Sequence, residues 1–343
     1  MTGSFLTTLD GSSSGVTPIW LMRQAGRYLV EYKAVRNSEP DFISFCLNSD
    51  KAVEVTQQPI DKFDFDAAII FSDILLVPWA MNRNVRFVPG TGPLMDPITA
   101  ASDFSPNNLD LIGSKLSPVG EAIQKCRAGL ANKKALLGFA GAPWTIITYL
   151  IEGQSSRDFA NARKWLWHND RQIEELMDTV IEATVRFLEI QARNGADALM
   201  LFDSWASAVP ADRRDQIVIK PAQKIITELR KRGHQQPVIG FPKGIGEGLL
   251  AYCDQVDIAG IGLDHGVDPV WAAKNLPSHI TVQGNLDPLS LIDGGEMMKT
   301  SISRILDAFA DRAHIFNLGH GITPETPVQH VYDLVSQIRG YSA

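Results

Sequence analysis

From end to end the chain alternates short apolar runs with longer segments in which apolar residues recur every three or four positions. The short runs span residues 19–22, 67–71, 135–139, 198–202, 237–240, 256–261, 280–283 and 314–318. Apolar runs this short, bounded by polar or turn-forming residues, read as strands buried on both faces. The longer segments span 50–63, 118–128, 171–194, 221–232, 246–252, 269–275, 297–310 and 328–339. Their spacing puts the apolar side chains on one helical face. Eight strand runs, each followed by helix, predict a (β/α)8 barrel of the TIM type, and 343 residues are enough to build one. A doubly wound open sheet shares the alternation, but no Gly-x-Gly-x-x-Gly follows the first run. The barrel reading makes residues 16–343 one α/β domain. Residues 1–15, which include Gly11-Ser12-Ser13-Ser14-Gly15, are small and polar and predict a flexible tail.

Two segments stand outside the rhythm. Residues 83–94 alternate and turn as a small β-hairpin would, inserted after the second strand. Residues 141–157, with Ala142-Pro143-Trp144 and Tyr149, predict a helix over the barrel mouth. Two helix starts carry local signals: Asp50 in a capping position, and Ser117-Pro118 as a cap followed by a first-turn proline.

Composition changes this picture little. Hydrophobic residues make up 45% and charged residues 21%, near the averages for globular proteins, and no stretch approaches the roughly 18 apolar residues of a membrane span. The N-terminal segment lacks the basic start and apolar core of a signal peptide. With the widely spaced Cys46, Cys126 and Cys253, this predicts a cytoplasmic protein with free thiols. A net charge of −7 without a basic run argues against a nucleic-acid partner. It leaves room for a local positive field around an anionic ligand.

In a barrel of this type the chemistry sits where the strands end. Each predicted strand end carries a polar group, a glycine or both, which predicts a polar cup with accessible backbone. After the first strand come Arg23 and Arg27, separated by Gln24-Ala25-Gly26. A strand interior cannot absorb two guanidinium groups, so the pair should face water or a ligand as a clamp for carboxylate or phosphate. Asp73 follows the apolar Ile69-Ile70-Phe71 run, deep in the mouth, where a carboxylate could accept several N–H donors or hold a positive charge developing in a substrate. His320 lies between Gly319 and Gly321 and is assigned to substrate carboxylate binding. Tyr149 supplies a hydroxyl donor if its helix caps the mouth. Ser204 has no Gly-x-Ser-x-Gly setting and is read as a hydrogen-bonding hydroxyl, not a nucleophile. No zinc spacing and no phosphate loop appear.

The segment from Pro18 to Leu29, with Ile19-Trp20-Leu21-Met22-Arg23-Gln24-Ala25-Gly26-Arg27-Tyr28 at its centre, resembles the N-terminal signature of the uroporphyrinogen decarboxylase family. Ile70-Phe71-Ser72-Asp73-Ile74-Leu75 and the segment from Gly138 through Trp144 to Tyr149 and Gly153 are similar to its second and third motifs. Phe202-Asp203-Ser204-Trp205-Ala206, Gly284-Asn285-Leu286-Asp287-Pro288 and Asn317-Leu318-Gly319-His320-Gly321-Ile322 are similar to later ones, in order over residues 18 to about 340. One departure is Val30, where the family usually has proline; it should loosen a turn after the arginines. The resemblance implies a homodimeric, cofactor-free enzyme that converts the four acetate side chains of uroporphyrinogen III to methyls, giving coproporphyrinogen III. It implies Asp73 and Arg23 as catalytic residues. It also implies substrate contacts from Arg23, Gln24, Ala25, Gly26, Arg27, Asp73, Tyr149, Ser204 and His320. The proton donor stays open between Arg23, a substrate acetic acid and a bound water. Two rivals are a thiol- or cobalamin-dependent methyltransferase on the same fold, disfavoured by the lack of cysteine at any strand end, and a non-catalytic tetrapyrrole carrier.

Overall fold

The apolar runs become the staves of a closed parallel barrel in the computed structural model, which describes residues 3–12, 15–168 and 170–341. In chain order the strands are β1 (Ala67–Ile69), β2 (Arg86–Val88), β3 (Gly92–Leu94), β4 (Ala135–Gly141), β5 (Ala198–Asp203), β6 (Val238–Pro242), β7 (Gly260–Gly262), β8 (Thr281–Gln283) and β9 (His314–Ile315). Strands β2 and β3 form the inserted hairpin, in antiparallel register from Arg86–Leu94 to Val88–Gly92. The other seven are parallel, in the order β1-β4-β5-β6-β7-β8-β9. The remaining stave is the stretch around Ile19. Ile19 bridges Phe316 in parallel, Phe316 N–H donates to Pro18 O at 2.8 Å, and Asp66 N–H donates to Ile19 O at 2.8 Å, which closes the ring between β9 and β1. Inside, the indole N–H of Trp20 donates to Gln283 Oε1 at 2.8 Å, so the buried amide on β8 has a partner.

Helices cover the outside of the barrel much as their periodicity predicts, over Ser49–Phe63, Asp170–Arg193, Lys220–Lys231, Pro269–Asn275, Gly295–Ala308 and Val328–Arg339. Three local expectations are corrected. The cap of the first of these helices is Asn48, whose Oδ1 accepts from Lys51 N–H at 3.2 Å; Asp50 lies inside the first turn and pairs with Lys125 at 2.6 Å. Pro118 does not start a helix but lies within Leu111–Gly129. A proline there cannot donate to the carbonyl of Ser114, and the Ser117 hydroxyl donates to that oxygen instead at 2.9 Å. Val30 occupies no turn but the first position of the helix Val30–Asn37, the position that accepts proline most readily.

The expectation of a flexible tail over residues 1–15 is also corrected where the chain is described. Ser4–Leu9 is helical, and Phe5 and Leu9 are fully buried. Phe5 and Leu9 lie four apart, so a single helical turn brings both onto one face. That face plugs the end of the barrel opposite the mouth. Thr281 Oγ1, at the start of β8, donates to Thr8 O at 2.7 Å, and Leu9 packs against Gly260 at the start of β7. Small polar composition hid an element whose two apolar anchors suffice once the barrel supplies the other half of the contact.

Candidate active site

The first stave ends in a tight turn that presents both arginines. Gln24 N–H donates to Leu21 O at 3.0 Å, and Arg23 between them takes a left-handed φ of 63°. A non-glycine residue there carries a cost of roughly 1–2 kcal/mol, which its surroundings must overcome. They do so through Gln24, whose buried amide accepts from Leu21 N–H at 3.1 Å and donates to Ala67 O of β1 at 3.2 Å. On the other side, Asn317 Oδ1 accepts from Met22 N–H and Leu318 N–H, each at 2.8 Å. Arg23 and Arg27 are exposed toward the mouth, and among the described residues neither has an ion-pair partner.

Across from them, the chain leaving β1 is held by Phe71 N–H donating to Thr56 Oγ1 at 2.9 Å. Two residues on, Asp73 opens into the mouth, with Oδ1 accepting from Leu75 N–H at 2.8 Å. Its setting is apolar, and burial raises its pKa to about 6 against the opposing pull of the Leu75 N–H and the Arg23 guanidinium. Cys46 lies close enough that the Asp73 charge adds to the burial pushing its thiol up. Among the described residues the buried Ser72 hydroxyl beside Asp73 has no hydrogen-bond partner.

The far wall is the helix Pro143–Glu152, which begins with proline at its first position and ends on Gly153 at a φ of 74°. Its cap residue, Ala142, has no side-chain acceptor, and Asp203 at the end of β5 supplies one. Asp203 accepts from Thr145 Oγ1 at 2.6 Å and from the Thr145 backbone N–H, while Thr145 Oγ1 itself accepts from Trp205 N–H at 3.2 Å. The indole N–H of Trp144 donates to Trp205 O at 3.0 Å. This network ties the loop carrying Ser204 and Trp205 to the helix carrying Tyr149. Burial raises Asp203 to about 7, with Thr145 pulling the other way. Burial also raises the Tyr149 phenol.

The two glycines around His320 serve the protein's own neighbours. A Cβ at Gly319 would meet the His265 backbone at 2.2 Å, and one at Gly321 would lie 3.0 Å from Arg23 Cβ and Nε. The chain after β9 therefore threads between His265 and the Arg23 guanidinium, and His320 is delivered into the mouth between them. Burial, with Lys243, Arg23 and His265 nearby, pushes its imidazole down to about 3.

These parts surround one cavity of about 460 Å³ at the C-terminal ends of the strands. Arg23, Ala25, Gly26 and Arg27 line one side; Asp73, Tyr149, Ser204 and His320 complete the polar set. Gln24 does not line it, because its amide is spent on the turn beneath. Periodicity gave no means of finding the aromatic wall. Phe87 of the hairpin packs on Phe42 at 4.4 Å between ring centres, and Phe42 on Phe71 at 5.9 Å, bringing the hairpin over the cavity. Phe139 and Phe202 form its apolar floor at 5.6 Å. The site is thus an apolar platform with one carboxylate at depth and cations and hydroxyls at the rim. A second depression, of about 790 Å³, lies between outer helices and is shallow. Lys299 pairs there with Glu296 at 2.7 Å and Arg304 with Asp268, and Asp307 accepts from the Tyr341 hydroxyl at 2.6 Å.

The described residues contain no cluster of three or more His, Cys, Asp or Glu side chains spaced to hold a metal. Cys46, Cys126 and Cys253 are buried, and burial raises the last two to about 12. None lines the cavity.

Known proteins resemble this chain over its whole length. The family model for uroporphyrinogen decarboxylase matches residues 2–341. A uroporphyrinogen decarboxylase of Novosphingobium aromaticivorans is 43% identical over all of both chains, and one of Sphingopyxis alaskensis is 45% identical over 98% of this chain and 97% of its own. Among solved structures, a methyltransferase from Methanosarcina mazei superposes with a TM-score of 0.82 at 18% identity, covering 98% of this chain and 97% of its own. At that identity the likeness speaks for the barrel alone. The chain belongs to the uroporphyrinogen decarboxylase family, carboxy-lyases of porphyrin biosynthesis.

Proposed function

We propose that this chain decarboxylates the four acetate side chains of uroporphyrinogen III, giving coproporphyrinogen III, with Asp73 at the centre of the chemistry. The observation that carries the reading is one carboxylate set over an apolar platform beneath a cationic rim. A domed macrocycle brings four pyrrole N–H donors to a single acceptor, and its carboxylates reach the rim, where Arg23, Arg27, Tyr149, Ser204 and His320 meet them. Ala25 and Gly26 contribute backbone and shape there.

In each round a proton adds to the pyrrole α-carbon next to the ring carbon that bears the acetate arm, making an iminium cation conjugated to that arm-bearing carbon. The bond to the carboxylate then breaks, carbon dioxide leaves, and its electron pair neutralises the cation as an exocyclic methylene. That methylene takes up a proton to become methyl, and the ring carbon releases the one it gained. The net change per arm is one proton consumed and one carbon dioxide released. Ionised Asp73 opposes the positive charge of the cation throughout, an interaction stronger in the transition state than in the bound substrate. Arg23 orients the acetate that reacts. A guanidinium is a weak proton donor, so a substrate acetic acid or a water shares that role in the proposal.

A homodimer with facing mouths, and a cytoplasmic location, complete the reading. They are supported by the family resemblance and by cysteines that are all free. No helix of the described residues is long and apolar enough to cross a membrane. The methyl-transfer alternative is disfavoured by the donor set, since no thiol reaches the cavity.

The test is anaerobic turnover of uroporphyrinogen III by metal-stripped protein, with products resolved by carboxylate number. Wild type should yield hepta- to tetracarboxylates in sequence, and Asp73→Asn should bind the substrate and release none of them. Folded wild type that yields no product overturns the reading.

A further inference from the structure

Lys243 is a cation beside the mouth, next to Trp205 and His320 but not among the residues that line the cavity, and it has no part in the scheme above. It follows β6 within a closely held main chain: its N–H donates to Asp203 O at 3.1 Å, and its carbonyl accepts from Ser207 N–H at 3.1 Å. The next residue, Gly244, takes a φ of 76° and lies so close to Ser207 that a Cβ would sit 2.8 Å from the serine Cβ, which fixes the chain's exit. The half-buried side chain places its ammonium 6.0 Å from the centre of the Trp205 ring, part of the cavity wall. The carboxylate on the adjoining loop, Asp264, is already occupied. Its Oδ2 accepts from Gly244 N–H and its Oδ1 from Gly266 N–H, both at 2.8 Å. Among the described residues no carboxylate forms an ion pair with Lys243. A half-buried ammonium without a counter-ion is an unbalanced charge that an incoming anion would balance.

Its position round the ring is as informative as its surroundings. Counted in either direction from the stave of Ile19, β6 is the fourth stave, through β1, β4 and β5 one way and β9, β8 and β7 the other. Lys243 therefore stands at the pole of the mouth opposite Arg23 and Arg27. A macrocycle with carboxylates around its whole perimeter presents one at each pole.

We propose that Lys243 is a substrate-binding residue, its ammonium holding a peripheral carboxylate of the tetrapyrrole at the pole opposite the two arginines; this rests on the decarboxylase reading above. Arg23 and Arg27 supply charge at one pole, while His320, whose pKa is pushed down, meets its carboxylate as a neutral N–H donor. The fixed positive charge at the far pole is that of Lys243. The Trp205 ring lies within the outer reach of a cation–π contact with this ammonium, which ties it to a residue of the wall.

The experiment compares wild type, Lys243→Met and Lys243→Arg in two measurements. One is steady-state turnover of the octacarboxylate porphyrinogen at low and high salt. The other is fluorescence titration with the oxidised octacarboxylate porphyrin, which needs no turnover. Lys243→Met should raise KM about tenfold while kcat stays within about twofold, and should flatten the salt dependence; Lys243→Arg should restore most of the affinity. Porphyrin affinity should fall in parallel. An unchanged KM and porphyrin Kd in folded Lys243→Met overturn the inference, as does a loss confined to kcat that arginine fails to rescue. Were wild type to bind porphyrin without turning over, the decarboxylase reading would fail. The titration would still decide whether Lys243 binds a carboxylate.

Discussion

At the scale of single residues, function and stability pull in opposite directions at Asp73. Its carboxyl is raised to about 6 chiefly by burial. Between the ordinary carboxylate value of about 4 and that raised value, the folded chain keeps a proton that the unfolded chain has released. Stability from this group is therefore greatest at low pH and falls as pH rises through the window. At pH 7.5 an ionised Asp73 is a burden that the fold carries for the sake of the cavity. Asp73→Asn keeps the acceptor for Leu75 N–H while removing the charge. It should be more stable than wild type at pH 7.5 by on the order of 1–2 kcal/mol, with the gain shrinking toward pH 4. Thermal melts across that range check it. A variant that melts below wild type at pH 7.5 would show that Asp73 is stabilised by contacts beyond those described.

Among elements, the helix Pro143–Glu152 is the one whose placement matters most, and it borrows its cap. Asp203 on β5 supplies what Ala142 cannot, and the same carboxylate, through Thr145, holds the backbone of Trp205. Thr145→Val removes both the hydroxyl donated to Asp203 and the acceptor for Trp205 N–H. It should cost about 1–3 kcal/mol and lower turnover by displacing Tyr149, Ser204 and Trp205, measured by melting and by kcat/KM. Asp203 also sets a pH trend. Because burial lifts it to about 7, its contribution is greatest below the ordinary carboxylate value of about 4 and is lost as pH rises to about 7. Asp203→Asn should make the stability profile between pH 4 and about 7 less steep, leaving the part that Asp73 contributes below about 6; an unchanged profile would mean that Asp203 does not titrate in this window. The motif around Asp203 was legible in the chain, but its role was not. The partner that makes it a cap, Thr145, lies 58 positions away and donates to it through both its hydroxyl and its backbone N–H.

For the whole molecule, closure of the ring depends on contacts from both ends of the chain. Asp66, just before β1, accepts from Ile19 N–H at 2.7 Å and Ser4 Oγ at 3.1 Å with its two carboxylate oxygens. Arg339 of the last helix pairs with it at 2.6 Å. One carboxylate thus joins the first stave, the N-terminal helix and the C-terminal helix. Phe5 adds a fully buried side chain at the same end. Phe5→Ala should cost about 3–5 kcal/mol, yet leave kcat at 25 °C near wild type, because the helix plugs the end opposite the mouth. Melting and turnover together check this; a fall in kcat of the folded protein would mean that the two ends are coupled.

By itself the chain determined the barrel, the hairpin, the helix over the mouth and the residues at the strand ends. Those rest on local periodicity and on where a strand can no longer hide a polar side chain. The tertiary structure decided the rest. It turned the N-terminal segment into a plug, since two apolar residues bury surface only when a barrel end receives them. It turned Gln24 away from the cavity and into the turn that holds Arg23 left-handed. It gave the glycines beside His320 their neighbours, and it set Lys243 opposite the arginines. Each of these depends on pairings between positions far apart in sequence. Such pairings become physical only when the ring closes and brings distant strand ends into one mouth.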